Sequence, residues 1–451
     1  MNRQQTQRDV TPWLSETPSH IIGDVTARDG IQAIPWYHVP TKEQRAQLAR
    51  KMMQAGIPHI EIGFPVIEGD PETLAVRHVV EQTRHLSGAI FALARLKKED
   101  IDQCVESLED AKYGGIHVFV GTSPEHRQAL GKSQEQILAE IPARMKQVRD
   151  AGMMCQFSAE DATRTEDDFL AKVYQVAEEG GAQILNVPDT VGFNNPDQYA
   201  RVIGVVREAT KNAILSAHCH NDMSCAEANP LVAISRGLVE KVEGTIFGIG
   251  ERAGNTDLIS LIMTLMQHPE YRDKIFHLVK HPKHLASLIE LVQSATGFTG
   301  RPVQAGYGFD AIVNRSGVHQ AKVAKMKKSY VWIDPEEFGL RDRDLVDIGP
   351  LAGKAGVEVL LKELNIKHED RDLVIITQLL RSIFSPDTNI ADIGNTFPQL
   401  DESEITRLSD KVQEIRREAR ILMPTIQRQK DWRKRTHTIM KKAVEYFYSK
   451  R

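Results

Sequence analysis

Two histidines one residue apart, His218 and His220, close the apolar run Ala213-Ile214-Leu215-Ser216-Ala217 in the stretch HCHND. If that run is a strand, alternate side chains share a face, and the two imidazoles can grip one cation. Alone, the pattern also fits two unrelated surface histidines. Its weight comes from polar residues at the ends of other apolar runs. Asp29, in Ala27-Arg28-Asp29-Gly30-Ile31-Gln32, can supply a metal oxygen, and Arg28 can stabilise charge growing on a carbonyl oxygen. An isolated Arg-Asp pair on the surface is the other reading. Glu61 fits a buried acceptor or a plain ion-pair partner, and His117 fits a site residue or a hydrogen-bonded core histidine. Ser158-Ala159-Glu160-Asp161 and Asp189-Thr190 end two further runs, and Thr190 is suited to donate to a substrate carboxylate. Asn255, closing GIGERAGN, can complete a coordination shell.

Asp29, His218, His220 and Asn255 make a mixed nitrogen and oxygen set that leaves positions open for water or substrate. That suits Mn²⁺, Mg²⁺ or an expanded Zn²⁺ site rather than a closed structural zinc. Such an ion would chelate a 2-oxo acid through its keto and carboxylate oxygens and act as a Lewis acid.

The elements that must position these groups follow from periodicity. Apolar runs fall near 21–27, 58–64, 88–95, 115–121, 152–158, 182–188, 213–219 and 242–248. Amphipathic stretches at 42–55, 71–84, 97–110, 133–150, 166–179, 196–210 and 223–239 lie between them, several opened by a capping residue such as Thr41 or Ser133. This alternation predicts an α/β fold, a (β/α)₈ TIM barrel, whose site lies at the carboxyl ends of the strands. An open doubly wound sheet is the competitor, but the first run leads into TARDGIQ, with no GxGxxG. The expected organisation is an N-terminal extension over 1–20, a catalytic barrel over 21–280, a helix and linker over 281–309, and a mainly helical C-terminal region over 310–451. Helices are expected there at 352–365, 371–383 and 402–420. The basic stretch Arg428 to Arg451, with Trp432, Tyr446, Phe447 and Tyr448, reads as a terminal helix whose aromatics dock on the body.

Composition excludes several classes. With 451 residues, 41% hydrophobic, 26% charged and a net charge of −4, the chain has the balance of a soluble globular protein and no basic field for nucleic acid. No apolar run is long enough for a membrane span or a signal segment. Four cysteines without CxxC spacing point to a reducing, cytoplasmic setting.

In order and spacing, DVTARDGIQ, NVPDTVGF, HCHND and GIGERAGN resemble the DRE-TIM metallolyase superfamily. Within it they resemble the 2-isopropylmalate, homocitrate and citramalate synthases, from about residue 21 to about 365. The resemblance implies a Claisen-type condensation of acetyl-CoA with a 2-oxo acid, then hydrolysis of the thioester. It places the divalent metal on Asp29, His218, His220 and Asn255, substrate contacts on Gln32, His117 and Thr190, and catalytic roles on Arg28 and Glu160. NRSGVHQAKVAKMKKSY resembles the family's post-barrel element, which puts His319 and Tyr330 in the catalytic His and Tyr roles. That element reaches the neighbouring subunit's barrel in these synthases, so a homodimer with shared sites is implied. His319, helped by Tyr330 and Glu160 of the facing chain, would take the acetyl methyl proton or pass it to water.

Departures from the family wording bear on substrate choice: Ile31 for a frequent Glu, Met223-Ser224-Cys225 after HCHND, and Phe247 for a frequent Asn. NVPDTVGF and HVFVGTSP look like the isopropylmalate branch, so 2-oxoisovalerate is the expected acceptor. Homocitrate or citramalate synthesis is the alternative; a homocitrate-type site needs a cation for a distal carboxylate, with Arg95, His117 and Arg127 as candidates. An acyl-CoA lyase or aldolase of the same superfamily is the reading from another class, but those enzymes generally lack the post-barrel element. Residues 366–451 are charged and helical rather than Gly- and Val-rich, so leucine feedback is not expected.

Overall fold

A computed structural model describes residues 21–384, except 273–274, 276–280, 302, 341–344, 350 and 364, together with positions 401–403, 405–407, 409–410, 413–414, 417 and 441. Eight parallel strands close into a barrel in sequence order. They are β1 Ile21–Asp24, β2 His59–Glu61, β3 Ala89–Arg95, β4 Gly114–Gly121, β5 Met154–Glu160, β6 Ile184–Asp189, β7 Ile214–Cys219 and β8 Lys241–Gly244. β8 pairs with both β7 and β1, which closes the ring. Helices alternate with the strands, among them Lys42–Ala55, Gln134–Asp150 and Pro196–Ala209. Thr41, Ser133 and Asn195 start these three with reciprocal capping boxes, each paired with the glutamine three residues on. Two otherwise orphaned backbone donors are satisfied at each start.

Three of the elements that differ from the periodicity lie at the mouth of the barrel. β1 stops at Asp24 because the chain winds into a π-helical turn, Thr26–Gly30, that carries Arg28 and Asp29. The buried Asp24 carboxyl accepts from Thr26 N at 2.8 Å and from Thr26 Oγ1 at 3.0 Å. Thr26 Oγ1 in turn accepts from Ile246 N at 2.9 Å, tying this turn to the segment after β8. β8 ends at Gly244 rather than near 248, because Phe247 (φ 66°) and Gly248 (φ 63°) curl the chain into a tight turn. A left-handed backbone favours Asn or Gly, so the Asn usual at position 247 is the easier fit and the buried Phe247 is the strained one. The helix after β7 shortens to Ala228–Ser235, and the residues before it form a loop around Ser224, whose φ is 61°.

The chain forms two compact units, the first reaching Phe298 and including Glu337–Gly339, the second beginning at Thr299. In the first, Ile21, Ala89, Phe91, Met154 and Ile184 pack as one apolar cluster. The helix His284–Thr296 belongs to this unit and lies on Lys42–Ala55, with His284 Nδ1 2.9 Å from Gln54 O. The second unit carries the helices Gly317–Lys325, Lys354–Glu363 and Asp370–Phe384. Buried Gln320 joins its segments, donating to Asp347 O at 2.7 Å and accepting from Gly353 N at 2.9 Å. Residues 1–20 lie outside the described residues, as do the expected helix 402–420 and the basic stretch Arg428 to Arg451 apart from isolated positions. No helix among the described residues is long and apolar enough to cross a membrane.

The Asp24 clasp carries a pH signature. Burial pushes its carboxyl up to about 7 against the two hydrogen bonds from Thr26. A carboxyl raised in the folded chain keeps a proton that the unfolded chain releases, so its contribution to stability falls as pH climbs from ~4 to about 7. Asp24→Asn removes that dependence. In denaturant unfolding, the free-energy difference between variant and parent moves in the variant's favour from about pH 5 to about pH 8. A difference that stays constant contradicts the clasp.

Candidate active site

The π-turn delivers Asp29, β7 delivers His218, and the chain just beyond β7 delivers His220, which forms an isolated bridge with Asn255. Asp29, His218 and His220 are buried and offer ligand atoms that all lie within 4.8 Å of one another. His218 Nε2 is 3.4 Å from Asp29 Oδ2, and the two imidazole rings sit 5.2 Å apart between centroids. Asn255 donates Nδ2 to Ile249 O at 3.1 Å, which fixes the amide. Its buried Oδ1 and the Nδ1 of His220 have no hydrogen-bond partner among the described residues. Buried polar atoms are normally satisfied, so these orphans point to a ligand. The glycines of GIGERAGN make the arrangement sterically feasible. A Cβ on Gly250 would fall 2.1 Å from Asn255 Nδ2, and one on Gly254 (φ +99°) 2.1 Å from Gly248 O.

The local field suits a cation. Burial opposes charge on Asp29, but Arg28 and His218 outweigh it and hold the carboxyl well below the usual carboxylate range. Burial would likewise lower His218, yet Asp29 and Glu243 bring it up to about 9. His220 is pushed down to about 4, first by burial and then by His218. Positive charge is favoured between Asp29 and His218, while His220 stays a neutral lone-pair donor, as metal coordination requires.

Around this set runs a chain of buried polar groups. Arg28 Nε donates to Glu61 Oε1 at 2.5 Å, and its Nη1 lies 3.4 Å from Asp29 Oδ2. The second Glu61 oxygen is 2.8 Å from His117 Nδ1, and His117 Nε2 is 2.6 Å from Ser158 Oγ. Ser158 also accepts from Asn186 Nδ2 at 3.1 Å. His117 is therefore buried with both ring nitrogens engaged. Gln32 donates to Asp29 Oδ1 at 3.0 Å, so its amide braces the carboxylate.

Thr190 follows β6 and accepts from Asp161 N at 2.9 Å through Oγ1, which leaves its hydroxyl proton to donate. Glu160, at the end of β5, is half-buried, with Oε2 3.3 Å from His126 Nδ1 of the same chain. His319 and Tyr330 belong to the second unit, where their rings stack at 4.1 Å and 22°. The three cations considered for a distal carboxylate are all engaged. Arg95 grips Asp100 at 2.6 and 2.9 Å. Arg127 grips Glu166 at 2.8 Å through both terminal nitrogens. His117 is held between Glu61 and Ser158.

Sequence reasoning missed the layer below. Fully buried Lys241 donates to Gln156 Oε1 and to Glu243 Oε1, each at 2.6 Å, and lies 3.2 Å from His59 Nε2. Gln156 Nε2 also donates to Glu243 Oε1, at 2.7 Å. A polar pair two residues apart on a strand reads as a solvent face until the strand is known to line a barrel. The one available signal was the KVE immediately ahead of GTIFGIGERAGN.

Comparison with known proteins agrees with the geometry. A family model described as HMGL-like matches residues 20–293, and one described as homocitrate synthase post-HMGL domain-like matches residues 307–386. The chain is 37% identical to the 2-isopropylmalate synthase of Streptococcus gallolyticus, over 82% of this chain and 70% of that one. It is 36% identical to the 2-isopropylmalate synthase of Heliobacterium modesticaldum, over 78% of this chain and 68% of that one. Among solved structures, the HMG-CoA lyase of Brucella melitensis shares the fold with a TM-score of 0.50 at 15% identity, covering 62% of this chain and 100% of that one.

If the orphaned Asn255 Oδ1 is a ligand, Asn255→Ala weakens Mn²⁺ binding at least about tenfold by isothermal titration, with metal-free thermal unfolding within a few degrees of the parent. Equal Mn²⁺ affinity in the variant removes Asn255 from the shell.

Proposed function

The chain belongs to the HMGL-like family and, within it, to the 2-isopropylmalate synthases, and from that premise we propose that it condenses acetyl-CoA with 2-oxoisovalerate and hydrolyses the thioester to a 2-alkylmalate. It is an acyltransferase, one that converts the acyl group into an alkyl group on transfer. The observation that carries the reading is the convergence of Asp29, His218 and His220 beside the Arg28 guanidinium, with the unpartnered Oδ1 of Asn255 on the residue that bridges to His220.

Asp29, His218, His220 and Asn255 would hold a divalent cation, Mn²⁺, Mg²⁺ or Zn²⁺, which would supply Lewis-acid polarisation to the 2-oxo acid. Arg28, kept charged by Glu61 and Asp29 against the cost of burial, adds hydrogen bonds to oxygen as negative charge grows on it. Thr190 donates its hydroxyl proton to the substrate carboxylate. His319, stacked on Tyr330, takes the acetyl methyl proton or passes it to water, assisted by Glu160. His319 and Tyr330 serve the barrel of a second subunit, so the working enzyme is a homodimer with shared sites. The enolate carbon of the acetyl group attacks the keto carbon, the keto oxygen takes a proton from solvent to become the hydroxyl, and water then attacks the thioester carbonyl and displaces coenzyme A as the free thiol.

The acceptor's side chain is read as uncharged because Arg95, Arg127 and His117 already have partners. A dicarboxylic acceptor, as in homocitrate synthesis, would require one of these pairs to open. Lyase chemistry is disfavoured by the post-barrel match and by the names of the relatives at 36–37% identity. We place the enzyme in the cytoplasm, where its four free thiols stay reduced, with small-molecule substrates and neither nucleic acid nor membrane as a partner.

Release of free thiol from acetyl-CoA, measured against a panel of 2-oxo acids, tests the reading. We expect kcat/KM for 2-oxoisovalerate at least about tenfold above that for 2-oxoglutarate; no release with any acid contradicts synthase function. His319→Ala is expected to lower kcat by about 10²- to 10⁴-fold, and unchanged turnover removes His319 from the chemistry.

A further inference from the structure

We propose that Glu243 is the positioning residue for His218, holding the imidazole by Nδ1 so that Nε2 faces the ion, and that Lys241 and Gln156 fix Glu243 from below. The proposal rests on the reading that Asp29, His218, His220 and Asn255 hold a divalent cation. Its basis is register. β7 and β8 pair with His218 directly opposite Glu243. Glu243 Oε2 lies 3.3 Å from His218 Nδ1, an ion-pair distance, and neither atom has a formed hydrogen bond, to the other or to any further group, among the described residues. The opposite ring nitrogen, Nε2, faces Asp29 at 3.4 Å. One ring thus bridges a fixed carboxylate and the metal set.

The other carboxylate oxygen, Oε1, is saturated by Lys241 Nζ at 2.6 Å and Gln156 Nε2 at 2.7 Å. Those two donors leave Oε2 aimed across to β7. A ligating imidazole can turn about its ring axis and present either nitrogen, and an outer carboxylate removes that freedom. Glu243 also falls in a second group, with His59 and Glu61, whose ligand atoms lie within 4.8 Å of one another. The Lys241 ammonium lies among them, 2.6 Å from Glu243 and 3.2 Å from His59. A covalently attached cation occupies that position, so the carboxylate acts on the one metal set above it.

The test separates positioning from simple burial of an ion pair. Glu243→Gln alone leaves Lys241 buried opposite an amide and can unfold the barrel, so the decisive variant is Lys241→Met with Glu243→Gln, which removes both charges together. Mn²⁺ affinity is measured from the electron paramagnetic resonance of the free ion, and Co²⁺ serves as a visible-spectrum probe of ligand geometry. The proposal predicts that the double variant unfolds within a few degrees of the parent, binds Mn²⁺ about 10- to 100-fold more weakly and shows a shifted Co²⁺ band. Parental Mn²⁺ affinity and an unchanged Co²⁺ spectrum in the double variant overturn it and leave Glu243 a structural role. A parent that binds no divalent cation overturns the metal reading itself, a separate failure. In the unmutated enzyme loaded with Zn²⁺, the His218 Nδ1 proton should give a downfield, exchange-protected resonance. Its absence overturns the proposal without recourse to variants.

Discussion

The architecture of the barrel mouth depends on charge that is buried and incompletely matched. Asp29, Glu61 and Glu243 place three carboxylates in the interior, while Arg28 and Lys241 supply two fixed cations. Removing such groups from water costs several kcal/mol per ion unless each is paired. Within the array the shortfall is one positive charge, and the pressure on His218 to hold a proton is its expression. A divalent ion beside a neutral His218 more than makes up the deficit and tips the local balance positive. An anionic 2-oxo acid is then attracted to the same place. On this account, affinity for metal and affinity for substrate would have one electrostatic origin, set by residues from the turn after β1 and from β2, β7 and β8.

The same array explains why so many loops at this end are tightly tied. The turn with Arg28 and Asp29 is held to the segment after β8 through Asp24 and Thr26. Asn255 is oriented by Ile249 O and reached only because glycine stands at 250 and 254. Arg252 pins the loops after β6 and β7, donating to Thr190 O at 2.6 Å and to Asp222 Oδ1 at 2.7 Å. A coordination shell misplaced by about 1 Å loses much of its function, and these ties supply the precision.

Much of this was legible in the sequence. Eight apolar runs separated by capped amphipathic segments indicated the barrel, because strand and helix periods differ and the caps mark where one gives way to the other. His218 and His220 were legible as a pair because strand alternation is local. Strand ends were less so: β1 and β8 looked longer than they are, since a π-turn and a positive φ at Phe247 leave no mark on hydrophobic pattern. Lys241 and Glu243 were hidden for a different reason. Their partners, Gln156 and His59, are far away in sequence, and only closure of the barrel brings them together. His319 and Tyr330 were proposed through family wording, because a helix with Lys322 and Lys325 in its last turn gives no chemical hint by itself.

The most direct test of the central claim is anomalous diffraction at the manganese edge from crystals equilibrated with Mn²⁺. The account predicts one strong peak at coordination distance, about 2.0–2.3 Å, from Asp29, His218 Nε2, His220 and the Asn255 amide oxygen. No peak there, or a peak elsewhere while these four side chains keep their positions, would contradict it.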